Sequence, residues 1–205
     1  GVARTKKHKH SLHIIHQRLT PSNILIDENI EPRISDFSLS QIYPKFDYSK
    51  QNLIDKKIFY YIDPYTLNHN DEITEKSDIY SFANITLQIL LGNIHIYENE
   101  EDLEKLIDEI KNGLMPMIST NFNKELRELL ISCVNKDPSM RPSFSQICET
   151  LDSVIDSMPE INNQILQEYK QKIQMNSIHD DMSPEIEDMK KVADQGDTNM
   201  MYLYA

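Results

Sequence analysis

The chain has 205 residues, of which 39% are hydrophobic and 26% are charged, and its formal net charge at pH 7 is -12. This length allows one good-sized domain or two smaller ones, and the composition is typical of a globular protein. The negative charge argues against general nucleic-acid binding. No window approaches the roughly 18 consecutive apolar residues of a membrane-spanning helix, so we expect no membrane partner.

The two cysteines, Cys133 and Cys148, give neither a disulfide framework nor a CxxC metal site. No secretory-signal pattern follows the first residue, Gly1. We therefore expect a reducing, cytoplasmic location. Because the chain does not start with Met, we also expect it to be a fragment of a longer protein.

One basic run, RTKKHKH, occupies positions 4–10. Its histidines, with His13 and His16 beyond them, raise the question of a metal site. No Cys or carboxylate lies among them, however, and structural metal sites normally include one. We therefore interpret the run as a solvated basic segment.

Hydrophobic patterning next predicts short strands. The β-prone runs LHIIH, NILID and PRIS, separated by Pro-containing and turn-like residues, place strands around positions 12–16, 23–27 and 32–35. Residues 41–62 show no clean periodicity, which predicts a long surface loop.

From residue 74 onward the apolar spacing is helical. Thr74 is the predicted start and Gly92 the predicted end of a long helix. Further helices are predicted within segments 100–113, 123–138 and 143–158. The second of these is expected to end at Pro138. A few strands followed by a helical block predict a mainly α (α+β) domain.

The C-terminal part is organised differently. Residues from about 160 to 181 are polar and indicate a helical linker. A last helix is predicted with Ser183 as N-cap, Pro184 at its first position and Gly196 as its end. These signals divide the chain into a domain, a linker and a last region, at 1–156, 157–182 and 183–205.

The segments HQRLTPSN and SDFS resemble the catalytic loop and the metal-binding segment of eukaryotic protein kinases. In that family, His-Arg-Asp, four residues and Asn form the loop, and Asp-Phe-Gly follows. The corresponding positions here are His16, Gln17, Arg18 and Asn23, and then Asp36, Phe37 and Ser38.

Later landmarks resemble the same family in the same order. YYIDPY is similar to the Ala-Pro-Glu segment, KSDIYSFANI to the central helix of the large lobe, and DPSMRPSF to the segment with a structural Arg. The resemblance implies the C-terminal lobe of a kinase-like domain, with short strands around the catalytic loop. It also implies that the Gly-rich loop and Lys of the small lobe precede residue 1.

Departures from the family pattern concern proton transfer. Arg18 stands at the position of the catalytic Asp, yet a guanidinium stays protonated and has no acceptor lone pair. Thr20 takes the place of the catalytic-loop Lys, and Ile58 falls where a hydroxyl is usual. With three parts of one network missing, the resemblance implies a pseudokinase, and we assign no catalytic residue.

The metal-binding positions are retained. Asn23 and Asp36 offer the oxygen ligands that Mg2+ prefers, and Leu25 would pack beneath an adenine ring or fill the core. ATP and Mg2+ are thus implied for the full-length protein only. Alternatively, Asn23 and Asp36 are loop-capping residues without a metal. Core packing is the favoured role of His16, Leu25, Phe37 and Asp78, the last as anchor of the loop backbone.

Two changes affect ionic partners. Gln17 replaces the Arg that pairs with a phosphorylated activation loop in many kinases, so that contact is not expected. Tyr65 replaces the Glu that pairs with the structural Arg, here Arg141. Because an unpaired buried Arg is costly, we predict that Asp63 or the Tyr65 hydroxyl takes over.

The C-terminal MKKVADQGDTNMMYLYA resembles Sel-one-like repeats, which are related to tetratricopeptide repeats, through Asp194, Gly196, Asp197, Tyr202 and Ala205. This implies the start of an αα solenoid in 183–205, with more repeats beyond. The alternative is an ordinary Ser-capped helix.

These features lead to a catalytically impaired kinase-like domain that acts in signalling as a regulatory or protein-interaction module. Its expected partners are proteins and a nucleotide. One alternative is an ATP-dependent Ser/Thr or Tyr kinase with an atypical loop. A second is a solenoid scaffold with the kinase lobe as an appendage.

Overall fold

The computed structural model describes residues 2–11, 15–28, 31–36, 56–68, 74–92, 96–97 and 103–157. The chain divides into two compact units, Gly1–Val154 and Ile155–Ala205. The predicted linker and repeat region lie outside the described residues, apart from residue 157, and stay predictions.

Two short strands form an antiparallel hairpin. β1 (Ile24–Ile26) pairs with β2 (Pro32–Ile34), and Leu25 lies opposite Arg33. This confirms the strands predicted at NILID and PRIS. Residues 15–16, the described part of LHIIH, are not in a strand.

Helices make up most of the rest. They are α1 (Val2–Ser11), α2 (Pro64–Asn68), α3 (Glu75–Leu91), α4 (Leu103–Lys111), α5 (Lys124–Cys133) and α6 (Phe144–Asp156). Short 3-10 helices occur at Pro21–Asn23, Lys56–Tyr61 and Pro138–Met140. The mainly α prediction with a small sheet is therefore confirmed. No helix in the described ranges is both long enough and apolar enough to span a membrane.

The central helix α3 begins and ends where the sequence predicts. Thr74 Oγ1 accepts a hydrogen bond from the Lys76 N–H at 3.2 Å, and the Thr74 N–H donates to Ser77 Oγ at 3.4 Å. At the other end Gly92 adopts a left-handed φ of 61°, which favours a residue without Cβ. Local capping chemistry thus sets both ends of the helix.

The core surrounds α3, from which both apolar and polar side chains are buried. Phe82 of α3 meets Phe144 of α6 edge to face, with ring centroids 5.4 Å apart. Other buried hydrophobic side chains come from α4, α5 and α6: Leu106, Ile110, Leu126, Leu129, Leu130, Ile147 and Val154.

Two predicted boundaries are wrong. The 3-10 turn at Lys56–Tyr61 lies within the segment predicted as a surface loop, and it buries Tyr60, whose carbonyl accepts a hydrogen bond from the Asn84 side chain. Helix α5 ends at Cys133, before Pro138, because Pro138 begins a separate 3-10 turn capped by Asp137.

The basic N-terminal run is not simply a solvated segment. It lies in α1, where Lys7 and His8 are exposed but Lys6 is fully buried. The Lys6 ammonium is 2.6 Å from a carboxylate oxygen of Asp78 in α3. The prediction is therefore wrong for Lys6, because its charge is neutralised inside the protein rather than by water.

Candidate functional site

The Asp78 side chain accepts hydrogen bonds from the backbone of the loop at residues 16–18. One carboxylate oxygen accepts the His16 N–H at 2.8 Å and the other accepts the Gln17 N–H at 3.0 Å. Gln17 has a φ of 69°, a left-handed conformation that a side chain disfavours. The predicted anchoring role of Asp78 is confirmed, since its bonds hold the loop in this unusual shape.

His16 connects this loop to the segment that carries Asp36. Its Nε2 donates to the Ser35 carbonyl at 2.8 Å, and its Nδ1 accepts the Arg18 N–H at 3.3 Å. This pairing requires the neutral tautomer with the proton on Nε2. Burial lowers the pKa of His16, although the Ser35 carbonyl and Asp78 act against that shift. The predicted buried role of His16 is confirmed.

Asn23 ends the 3-10 turn that follows the loop. Its Nδ2 donates to the Arg18 carbonyl at 2.8 Å, and its own carbonyl accepts the Ser35 N–H, also at 2.8 Å. This is the loop-capping role considered for Asn23. The bond uses the amide nitrogen, so the amide oxygen is the end of the side chain that fits a metal ion.

Arg18 and Asp36 come together at the centre of the site. The Arg18 Nη1 lies 4.0 Å from the Asp36 Oδ2, and their side chains are 31% and 38% exposed. Asp36 also has a left-handed φ, of 62°. The Arg18 guanidinium thus places a positive charge beside the Asp36 carboxylate, where a kinase would have a metal ion.

A magnesium ion fits these residues by ligand type but not by charge. Asn23 and Asp36 carry suitable oxygens, whereas the Arg18 guanidinium repels a divalent cation. In the described ranges, no group of three or more His, Cys, Asp or Glu side chains is arranged to hold a metal ion. Metal binding by Asn23 and Asp36 stays a prediction.

The remaining predicted site residues differ in how deeply they are buried. Thr20 is buried, and its hydroxyl shares a hydrogen bond of 2.8 Å with Ser22. Leu25 is 55% exposed, so the expectation that it fills the core is wrong within the described structure, and its adenine contact stays a prediction. Ile58 is half-buried in its 3-10 turn. Phe37 and Ser38 lie outside the described residues.

Arg141 forms a buried ion pair with the carboxylate of Asp63. Its two terminal nitrogens donate to the two oxygens of Asp63 at 2.7 and 2.8 Å, in a forked geometry. Its Nε donates to the Asn135 carbonyl and its guanidinium lies over the Tyr80 ring. The prediction that Asp63 or the Tyr65 hydroxyl takes over as partner is confirmed for Asp63.

Sequence reasoning missed the part that Lys6 plays at this site. Lysine is seldom buried, and the run of basic letters around it favours a solvated segment. The usable signal was helical spacing: once 2–11 is taken as a helix, Ala3 and Lys6 lie on one face.

The cysteines do not add a nucleophile. Both are buried, and burial raises the pKa of the Cys133 thiol to about 12. Burial also raises the pKa of the Cys148 thiol. Since the thiolate is the reactive form, neither side chain is suited to covalent catalysis at neutral pH.

Comparison with known proteins identifies similar sequences. The family profile described as protein tyrosine and serine/threonine kinase matches residues 1–151. Serine/threonine-protein kinase STY17 of Arabidopsis thaliana is 26% identical over 154 residues, which is 75% of this chain and 26% of that protein. Dual specificity protein kinase shkC of Dictyostelium discoideum is 33% identical over 142 residues, 69% of this chain and 28% of that protein.

A third relative is a G-type lectin S-receptor-like serine/threonine-protein kinase of Arabidopsis thaliana. It is 32% identical over 163 residues, which is 73% of this chain and 19% of the relative. The chain therefore spans less than a third of the length of these relatives.

Proposed function

Because the chain belongs to the protein tyrosine and serine/threonine kinase family, we propose that it is the large lobe of a catalytically impaired kinase domain, a pseudokinase. Its role is that of a regulatory or protein-interaction module. One observation carries the proposal: Arg18 stands at the position of the catalytic Asp, with its guanidinium next to Asp36.

Phosphoryl transfer to a hydroxyl needs a group that orients the hydroxyl or accepts its proton. Arg18 has five N–H donors and no acceptor. His16, two residues before Arg18, is buried and uses both ring nitrogens in hydrogen bonds within the protein. Thr20 is buried as well, so it does not replace the Lys that contacts phosphate in the family.

Nucleotide binding is a separate matter from catalysis. Asn23 and Asp36 are the residues that would hold Mg2+ with ATP in the full-length protein, where the ion would neutralise phosphate charge. Arg18 already places a positive charge beside Asp36. We therefore propose that metal affinity at this site is weakened, and that Arg18 itself offers part of the charge that phosphate requires.

A kinase lobe without transfer chemistry retains a large folded surface for protein partners. The proposed cytoplasmic location and the Sel-one-like start at 183–205 fit such a role. The relatives are named as serine/threonine and dual specificity kinases, and the alternative function is that of an active kinase with an atypical loop. Catalytic activity of the whole protein decides between the two.

The test is a phosphotransfer assay on the full-length protein with radiolabelled ATP and either Mg2+ or Mn2+. The wild type and the Asp36→Ala variant are compared on a generic protein substrate and for autophosphorylation. We expect the same background signal from both. A wild-type rate at least tenfold above that of Asp36→Ala would contradict the pseudokinase proposal and support the active kinase.

A further inference from the structure

We propose that Lys6 is a positioning residue: its buried ammonium is the counter-charge that allows Asp78 to hold the loop at residues 16–18. Helix α1 and this loop are then linked through the Asp78 carboxylate, which contacts both. The inference does not depend on whether the site transfers phosphate, because it concerns how the loop keeps its shape.

One ammonium group and two backbone N–H donors converge on the Asp78 carboxylate. The Lys6 Nζ lies 2.6 Å from Oδ2, and both side chains are essentially inaccessible, at 0% and 1% exposure. The approach is not aligned for a hydrogen bond, so charge attraction is the source of the interaction. The other two groups are the His16 and Gln17 backbone N–H groups.

Charge rather than apolar burial docks α1. Among its described side chains, Ala3 is the only buried hydrophobic one. The second strong contact of the helix is also ionic: Arg4 donates to both carboxylate oxygens of Asp152 in α6, each at 2.7 Å. Arg4 and Asp152 are 36% and 37% exposed, so solvent screens this pair more than the one between Lys6 and Asp78.

Loss of Lys6 would remove this positive charge from beside a buried carboxylate. An uncompensated buried charge is strongly unfavourable, and the site responds by taking up a proton or admitting water. Either response weakens the bonds to the loop. Since Gln17 is kept at a positive φ by those bonds, the loop is the part expected to relax first.

The first experiment is hydrogen exchange on the full-length protein, read by mass spectrometry on peptides that span 15–20. In Lys6→Met, these amides should exchange at least tenfold faster than in the wild type. Leu129→Ala, a core change on α5, serves as the control for general destabilisation. Arg4→Met serves as the control for loss of the other ionic contact of α1.

The proposal requires that exchange at 15–20 rises more in Lys6→Met than in either control, after correction to equal global stability. Equal increases in all three variants would overturn it, because Lys6 would then be an ordinary structural residue. Unchanged exchange in Lys6→Met would overturn it too.

A second variant covers the case in which Lys6→Met does not fold. The double change Lys6→Met with Asp78→Asn removes both buried charges, so no unpaired charge remains. It should therefore fold with a cooperative urea transition even where Lys6→Met alone does not. A double variant that also fails to fold would overturn the proposal, because removing the unpaired carboxylate would then restore nothing.

Discussion

Two regions of the lobe depart from the kinase pattern in opposite ways. At Arg141, the usual acidic partner is replaced by Tyr65, yet Asp63 supplies a carboxylate and makes two hydrogen bonds to the guanidinium. At Arg18, which stands where the kinase resemblance implies the catalytic Asp, the guanidinium lies 4.0 Å from Asp36. The first region has a carboxylate in place of the expected one, whereas the second has a positive charge where a proton acceptor is expected.

Burial explains the difference. Arg141 and Asp63 are 0% and 1% exposed, whereas Arg18 and Asp36 are about one-third exposed. A charge inside the protein needs a partner for the lobe to fold. A proton acceptor in a half-exposed loop is needed for transfer chemistry but not for folding. Folding therefore constrains the residues of the first region more strongly than those of the second.

Replacing Asp63 with Ala should test the buried region most severely. The change leaves the Arg141 guanidinium inside the core without its carboxylate, so we expect the free energy of unfolding to fall by about 3–5 kcal/mol. Urea denaturation followed by circular dichroism measures it.

The matched control is Glu128→Ala. It removes an exposed pair in which Lys124 and Glu128 are 3.9 Å apart, and should cost about 0.5 kcal/mol or less. If Asp63→Ala costs no more than this control, burial is not the reason why the Arg141 partner was recovered.

The parts of the fold that the sequence predicts well depend on neighbours along the chain. Thr74 begins α3 and Gly92 ends it through their own side-chain and backbone properties. The two residue types are therefore enough to predict the ends of the helix. Asp63 was one of the two predicted partners of Arg141, because its carboxylate is only two residues from Tyr65 along the chain. Local chemistry limits the number of possible structures at such positions.

The parts that were predicted wrongly depend on distant residues. Lys6 is buried because Asp78 of α3 lies beside it, and no feature of RTKKHKH indicates this partner. Leu25 is an apolar strand residue of the kind that is usually buried, but it is 55% exposed. The apolar pattern of a strand does not show whether another part of the protein covers a given side chain.

His16 lies in the loop of the second region but is buried like the residues of the first, and the pH dependence of stability tests the effect of that burial. Burial lowers its pKa when the protein is folded, while an unfolded histidine titrates near pH 6.5. Below that pH the unfolded chain takes up a proton that the folded chain does not. The free energy of unfolding should then fall by up to about 1.4 kcal/mol per pH unit, until the pH reaches the lowered folded pKa.

Urea denaturation of the wild type and His16→Gln between pH 7.5 and 5 isolates this contribution, since the other titrating groups are common to both proteins. The wild type should lose more stability than the variant as the pH falls. Parallel pH profiles would show that His16 takes up its proton as easily in the folded protein as in the unfolded one.

Arg18→Ala should change stability least and cation binding most. The pair with Asp36 is long and partly solvated, so its loss should cost about 0.5 kcal/mol or less in urea denaturation. Removing the guanidinium leaves the Asp36 carboxylate without that neighbouring positive charge, and the affinity of the full-length protein for Mn2+ should rise by about fivefold to tenfold. Electron paramagnetic resonance measures the free ion directly.

Arg18→Lys is the matched control for this effect, because it keeps a positive charge in the loop and should leave Mn2+ binding weak. Asp36→Ala combined with Arg18→Ala should abolish the gain. If Arg18→Ala instead destabilises the lobe by as much as Asp63→Ala, the two ion pairs serve the same structural purpose. The loop arginine would then be part of the scaffold rather than a substitution that folding tolerates.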